Sequence, residues 1–364
     1  MRKIIFIILF CPLFIIKCSA EGLVSEAAGA IDAYSLEEAL SDEERDISGN
    51  LSLDGAYDHE GAISRLVRHL FDSALREYKM SLGDAVSITA LSFLCSLLAA
   101  FCSDKKYTEF ISAAGVCAVA LISLGGVDSI VSQAGDAIIR LSDYSKAAMP
   151  VVFTAAAAIG AVASSAAKYA AVCIAVDVLI SVSQKLIIPC VYAFLALAVA
   201  KSLFKNSIVC TCAGFIKWVS TTVMIVLTIA FSSYIGMTGL IAGSTDAAAV
   251  KATRTVISTV LPVVGSIISD SASVVLSAAG IIKNSVGVFA LISVGVLCAG
   301  PFAALGVKLL MFKAAGALSS MASNERLTEL INDVGKALSM LLGMVGCCGI
   351  MLFISFMAAI KAAI

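Results

Sequence analysis

From residue 85 to residue 364 the chain is a succession of apolar runs, each roughly 20 residues long, the length that carries a helix across a bilayer core. This feature constrains the fold more than any other. A segment in lipid must satisfy its backbone hydrogen bonds within the protein, which leaves helices or closed barrels. Here the runs are continuous rather than alternating, which favours helices. The spans read as 85–103, 110–127, 147–167, 169–184, 186–204, 216–242, 284–307 and 338–360. A ninth candidate, 257–282, either spans or re-enters. The polar breaks between 147 and 204 amount to little more than Lys168 and Lys185. With 60% hydrophobic residues, 14% charged and a mean hydropathy of +1.00, the composition is that of a membrane protein. The expected fold class is therefore all-α, a polytopic bundle of about eight transmembrane helices filling residues 85–364.

Arg2 and Lys3, the run IIFIILFCPLFII and the small residues Cys18, Ser19 and Ala20 make the three parts of a secretory signal. Residues 1–20 are read as that signal, removed ahead of Glu21, with retention as an anchor as the alternative. Residues 21–84 then hold fifteen Asp or Glu against five Lys or Arg, whereas the whole chain carries a net charge of −1. Acidic material behind a signal is readily translocated, and Lys or Arg near helix ends mark the cytoplasmic side. Residues 21–84 are thus expected to be extracytoplasmic. Lys105, Lys106, Lys168, Lys201 and Lys205 then fall inside, and Lys185 alone sits on the wrong side. Beyond residue 243 the charges are too sparse to set a topology.

Within the acidic segment, SLEEALSDEERD is charged and poor in aromatics, a composition that predicts mobility. Near 60–80 the pattern changes. Ile63, Leu66, Val67, Leu70, Phe71, Ala74, Leu75 and Tyr78 recur at helical spacing, with Arg65, Arg68, Asp72, Arg76 and Glu77 on other faces. This amphipathic helix would lie on the outer leaflet, dock on a partner, or pack on the protein's own membrane domain. Two later connectors show the same periodicity and read as interfacial helices. In 128–146 the apolar positions are Ile130, Val131, Ala134, Ala137, Ile138 and Leu141. In 317–337 they include Leu327, Leu330, Ile331 and Val334, and Ser323 with Asn324 ahead of Glu325 signals a helix start.

Small residues dominate 154–171, including Gly160 and Ser164, and Gly239 with Gly243 forms a GxxxG. Such residues let helix backbones approach closely in lipid, so a tight bundle or a homo-oligomer is expected. Asp177, Lys217 and Asp270 lie in or at the mouths of apolar runs, where an ionisable group marks a functional or pairing role. Nothing points to catalysis. The chain has no phosphate loop, no HExxH, no GxSxG and only two histidines. Its twelve cysteines include no CxxC pair and read as small hydrophobes. No catalytic residue, cofactor, metal or nucleic-acid partner is expected.

The stretch TVLPVVGSIISDSASVVLSAAGIIKNSVGV (259–288) is apolar yet broken by Pro262 and Gly265 and spotted by Ser269, Asp270, Lys283 and Asn284. Freed backbone groups and buried hydroxyls need protein or a water-filled cavity around them. A pore-lining or re-entrant element fits, and so does a kinked helix sealed by its neighbours. The Pro262-Val263-Val264-Gly265 turn, Ser269-Asp270, and the Lys283-Asn284 close followed by Val286-Gly287 together resemble the signature of the stage III sporulation protein AE family. Where that family usually has Gly-Cys, this chain reads Ser277-Ala278-Ala279-Gly280.

The resemblance implies a membrane subunit of the apparatus that endospore formers assemble between mother cell and engulfed forespore. That apparatus is thought to act as a channel or feeding device that sustains late forespore gene expression. It further implies an ATPase and ring-forming proteins as partners, the bilayer around the forespore as location, and no catalytic residues. Two other readings of the residues stay open. One is a stand-alone secondary transporter for a small solute, with Asp177 or Asp270 as a coupling-ion site, although no internal repeat supports it. The other is a scaffold without a conducting path.

Overall fold

A computed structural model describes residues 35–49, 58–102, 104–157, 162–204, 207–260, 265–322 and 324–361. Within them the side chains of 59, 156–168, 170, 171, 235–283 and 358–361 are not described. The expected signal at 1–20 lies outside the described residues. Every described element is a helix, in the order α1 (Ser35–Glu38), α2 (Asp42–Ser48), α3 (His59–Phe101), α4 (Lys105–Ala157), α5 (Val162–Val182), α6 (Ile188–Phe204), α7 (Ser207–Val260), α8 (Gly265–Ser320) and α9 (Glu325–Lys361).

Among the described residues six helices are long and apolar enough to cross a membrane: Glu60–Phe101, Lys105–Ala155, Val172–Phe204, Ser207–Tyr234, Asn284–Ser320 and Glu325–Met357. The chain is therefore a multi-pass helical membrane protein. The count differs from the expected eight because neighbouring runs fuse. The stretch 128–146 is helical, as its periodicity predicts, but it continues the helix of 110–127 and runs on to Ala157. Its apolar positions Ile130, Val131, Ala134, Ala137, Ile138 and Leu141 are all buried in the bundle, so nothing there turns the chain back. Contacts across the next pair show the direction. Asp128 meets Tyr192, Gly135 meets Ile188, Lys146 meets Asp177, and Phe153 meets Tyr169. Rising numbers on α4 face falling numbers on α6 and α5, so α4 lies antiparallel to one long α5–α6 rod.

Two long passes thus replace four short ones, and the lysine pattern changes accordingly. Lys168 lies in α5 at the end away from Lys105, not beside it as expected. Lys185, the lysine that seemed misplaced, belongs to a five-residue π turn, Ser183–Ile187, inside the rod. The turn has a local cause. Pro189 has no N–H to give Lys185, and the backbone widens so that the Ile188 N–H bonds Ser183 O. Lys201 remains on the Lys105 side under either scheme, because removing two passes leaves the parity unchanged.

The middle of the bundle is α8 with α9. Of the apolar window in α8, 61% is buried, and in α9 50%, against 17% in α3 and in α7. Both helices pack antiparallel. Gly346 faces Phe302 and Gly349 faces Cys298, where a Cβ on Gly349 would stand 2.8 Å from Cys298 Sγ. Close approach through small residues is the packing mode expected in lipid. By contrast α3 runs parallel to α8: Leu66 meets Gly295, Ser92 receives a hydrogen bond from Ser319, and Ser96 bonds Ala322 O.

The N-terminal stretch SLEEALSDEERD, expected from its composition to be mobile, is helical over most of its length. It supplies α1 and most of α2, and Leu36 of α1, Leu40 between the two helices and Ile47 of α2 are buried. Three apolar residues on one face suffice to seat it once the charges have partners. A capping box joins Ser41 and Glu44, Glu44 also pairs with Arg140 of α4 at 2.7 Å, and Arg65 of α3 donates to Ile47 O.

Candidate functional site: a polar vestibule among apolar helices

Five helix ends meet at one end of the bundle. The C-termini of α3, α6 and α8 gather there around the N-termini of α4 and α9, tied by Ser96 to Ala322 O, Asn324 to Ser112 and Glu109 to Arg326. In α9 the residues Leu327, Leu330, Ile331, Val334, Ala337 and Leu338 form the buried stripe. Glu329, Asp333 and Lys336 recur at i, i+4 and i+7 beside it, so one neighbouring face of α9 carries charge.

That face meets Lys201 of α6. Lys201 Nζ lies 2.6 Å from Glu329 Oε1 and 3.2 Å from Asp333 Oδ2, while Lys336 Nζ donates to Asp333 Oδ1 at 2.6 Å. The Asp333 side chain is 3% exposed and that of Lys201 14%. Two ammonium groups and two carboxylates compensate one another. Lys201 and Asp333 form the buried middle of this cluster, and removal of either leaves the other short of its buried partner. One cavity adjoins it and a second adjoins the first. One of about 470 Å³ is lined by Ser320, Asn324, Thr328, Glu329, Asn332 and Lys336 among others, and one of about 310 Å³ by Thr108, Glu109, Ser112 and Arg326 among others. They share Asn324 and Glu325, the first turn of α9. Next to Lys201, the buried Ser202 hydroxyl has no partner among the described residues, and neither has that of Thr328. The arrangement is an open-mouthed polar vestibule at one end of a mainly apolar bundle.

A second buried cation lies further along. Lys308 of α8, with its side chain 8% exposed, donates to Gly126 O at 2.9 Å and stands 3.9 Å from Asp84 Oδ2. It joins three helices, α8, α4 and α3. Gly126 is what admits it, since a Cβ there would lie 2.9 Å from Lys308 Nζ.

The residues singled out from sequence lie elsewhere. Asp177 is at the surface of α5 with its side chain 70% exposed, 3.8 Å from Lys146. Lys217 is exposed on α7. Pro262 and Gly160 lie outside the described residues. Gly265 opens α8, and Ser269, Asp270 and Lys283 follow within that unbroken helix, their side chains undescribed. The same holds for Ser164 in α5 and for Gly239 and Gly243 in α7. Asn284 is exposed and Gly287 buried on α8, toward the end opposite the vestibule. Sequence reasoning missed Lys201, Glu329, Asp333 and Lys336 as a unit. The i, i+4, i+7 spacing on α9 was visible, but Lys201 reads as an ordinary helix-end lysine until α6 is placed.

A family model described as Stage III sporulation protein AE matches residues 54–363. The chain belongs to that family. The matched region contains α3 to α9 and so the whole vestibule, while α1 and α2 precede it. A family member, Stage III sporulation protein AE of Bacillus subtilis (strain 168), is 19% identical over 311 residues, covering 85% of this chain and 77% of the relative. No solved structure matches the chain.

Proposed function

We propose that this chain is a membrane subunit of a channel or feeding apparatus between mother cell and forespore, and that the vestibule is its polar entrance. Membership of a sporulation family supports the setting. The four-charge cluster, with Lys201 and Asp333 buried and Glu329 and Lys336 at its half-exposed edge on the larger cavity, carries the reading, because charges inside a membrane bundle are retained where they line a hydrated or conducting path. Lys105 and Lys106 at the vestibule end favour a cytoplasmic mouth, with residues 21–84 outside. An ATPase and ring-forming proteins of the same apparatus would be the partners, one reaching the vestibule and the other the opposite end. The role is structural and conductive rather than catalytic. Asp177, exposed on the outer face and paired with Lys146, is poorly placed to couple an ion to transport.

The test is a sporulation assay in the native host with Asp333→Asn and Lys201→Met alleles at the chromosomal locus. Engulfed forespores that then stall, with few heat-resistant spores, normal vegetative growth and normal amounts of the protein in the membrane, are expected. Wild-type spore counts in both strains would remove the vestibule from the function.

A further inference from the structure

The two sides of α3 reverse those of a helix in water, which hides its apolar stripe and shows its polar one. Outward α3 shows Phe71, Leu75, Val86, Phe93 and Leu97, each 46% exposed or more. Inward it carries Ser73, Glu77, Ser81, Asp84, Ser92 and Ser96 at successive turns, with Ile88 alone breaking the spacing. Glu77, Ser81 and Ser92 are buried and the other three half-buried. From Ser73 to Ser96 the series covers about 35 Å at 1.5 Å per residue, more than a hydrocarbon core of about 30 Å. Polar side chains that turn inward along a whole span give the bundle a polar seam.

Helices α8 and α4 complete the seam. Ser96 lines the smaller vestibule cavity and bonds Ala322 O, and one turn on Ser319 donates to Ser92 at 3.0 Å. Further along, Lys308 donates to Gly126 O at 2.9 Å and stands 3.9 Å from Asp84, and Ser81 donates to Glu77 Oε1 at 2.7 Å. Gly126 faces Asp84 and Gly115 faces Cys95, so α4 runs antiparallel to α3. Ser123, one turn from Gly126 on the same face of α4, therefore falls between Asp84 and Ser92. Its hydroxyl is wholly buried with no partner among the described residues, and so has a bond to give to water in the seam. The charges are uneven. Two carboxylates, Glu77 and Asp84, share one ammonium, Lys308, and among the described residues no cation pairs with Glu77. Asp128 of α4 and Lys313 of α8 are exposed and stand outside the seam. An excess of negative charge in a buried seam favours a proton over an anion. Contacts of 2.7 to 3.0 Å leave little width for a solute, whereas a proton passes between hydroxyl, carboxylate and water without an opening. We infer that this seam is a proton path through the bundle, from the smaller vestibule cavity at Ser96 to Glu77 and the opposite end, with Asp84 and Glu77 as the groups that take the proton up. Each hop breaks one O–H or N–H bond and forms another, so a proton entering at one mouth is matched by one leaving at the other and nothing is consumed. The inference goes beyond the channel reading and rests on other residues.

The test is proton flux into liposomes of phosphatidylethanolamine and phosphatidylglycerol that hold the purified full-length chain, read with a trapped pH-sensitive dye after a potassium diffusion potential is imposed. The chain should carry protons several-fold faster than protein-free liposomes do, and equally fast in sodium and choline media. E77Q and D84N should each remove most of that flux, whereas D177N, on the outer surface, should leave it. S92A changes no charge and should slow the flux to less than half; it decides the matter if the carboxylate variants do not reconstitute. Flux no greater than in protein-free liposomes, equal flux in the parent, E77Q, D84N and S92A, or flux that requires sodium would overturn the inference. Stalled forespores in the vestibule alleles together with a parent chain that carries no protons would leave the channel reading standing while the proton path fell.

Discussion

Lys201 and Lys146 are both lysines on long membrane helices, and each faces a carboxylate, yet the two sites differ in kind. Lys146 meets Asp177 at 3.8 Å with both side chains more than half exposed, a single loose pair on the outside of α4 and α5. Lys201 sits between two carboxylates at 2.6 and 3.2 Å, deep between α6 and α9, and the more buried of them is held by a second lysine. Depth and the number of partners decide what a charge contributes. The outer pair is screened and replaceable, whereas the inner four bind two helices in one arrangement.

The largest effect should come from Asp333→Ala, which leaves Lys201 and Lys336 short of a carboxylate and is expected to cost about 3–5 kcal/mol. Thermal unfolding in detergent would report it. Replacing Lys201 by Met in the same chain should recover part of the loss, and strict additivity of the two changes would deny their coupling. Next comes Gly126→Val, which displaces Lys308 from the Gly126 carbonyl and should cost about 1–3 kcal/mol, the range for overpacking a filled site. Gly349→Ala is expected to be milder. The clash with Cys298 Sγ is offset by the gain of about 1 kcal/mol that Ala brings to a helix interior, and C298A should turn the net change favourable. Smallest is Asp177→Asn, with a change below about 1 kcal/mol that fades as salt is raised. A salt-independent loss of several times that size would put Asp177 in the class of Asp333 and erase the distinction.

The helical class was legible because runs of about 20 apolar residues leave lipid few alternatives. Where the helices end was not. Residues 128–146 carry Asp136, Arg140, Asp143 and Lys146, enough charge to look like a connector, but the apolar positions among them are buried in the bundle, so the helix runs on while Arg140 reaches Glu44 and Lys146 reaches Asp177 at its surface. Both partners lie on other elements, beyond the reach of local pattern. In SLEEALSDEERD too the charges outweigh Leu36 and Leu40 in composition, though both leucines are buried. The α9 stripe of Glu329, Asp333 and Lys336 was readable as a helix face. Its partner Lys201, more than a hundred residues earlier, becomes a partner only through the fold. At the other end, Gly265 onward is a single helix to Ser320, while Pro262 lies outside the described residues.

The most direct measurement is thiol accessibility at the vestibule. Asn332→Cys lines the larger cavity and Met344→Cys sits wholly buried about three turns further along α9, each in a cysteine-free background in sealed vesicles of both orientations. A polar vestibule open at one end predicts that a membrane-impermeant maleimide labels Asn332→Cys from the side bearing Lys105 and Lys106 alone, and does not label Met344→Cys from either. Protection of Asn332→Cys on both sides, or labelling of both positions alike, would contradict a hydrated entrance among apolar helices.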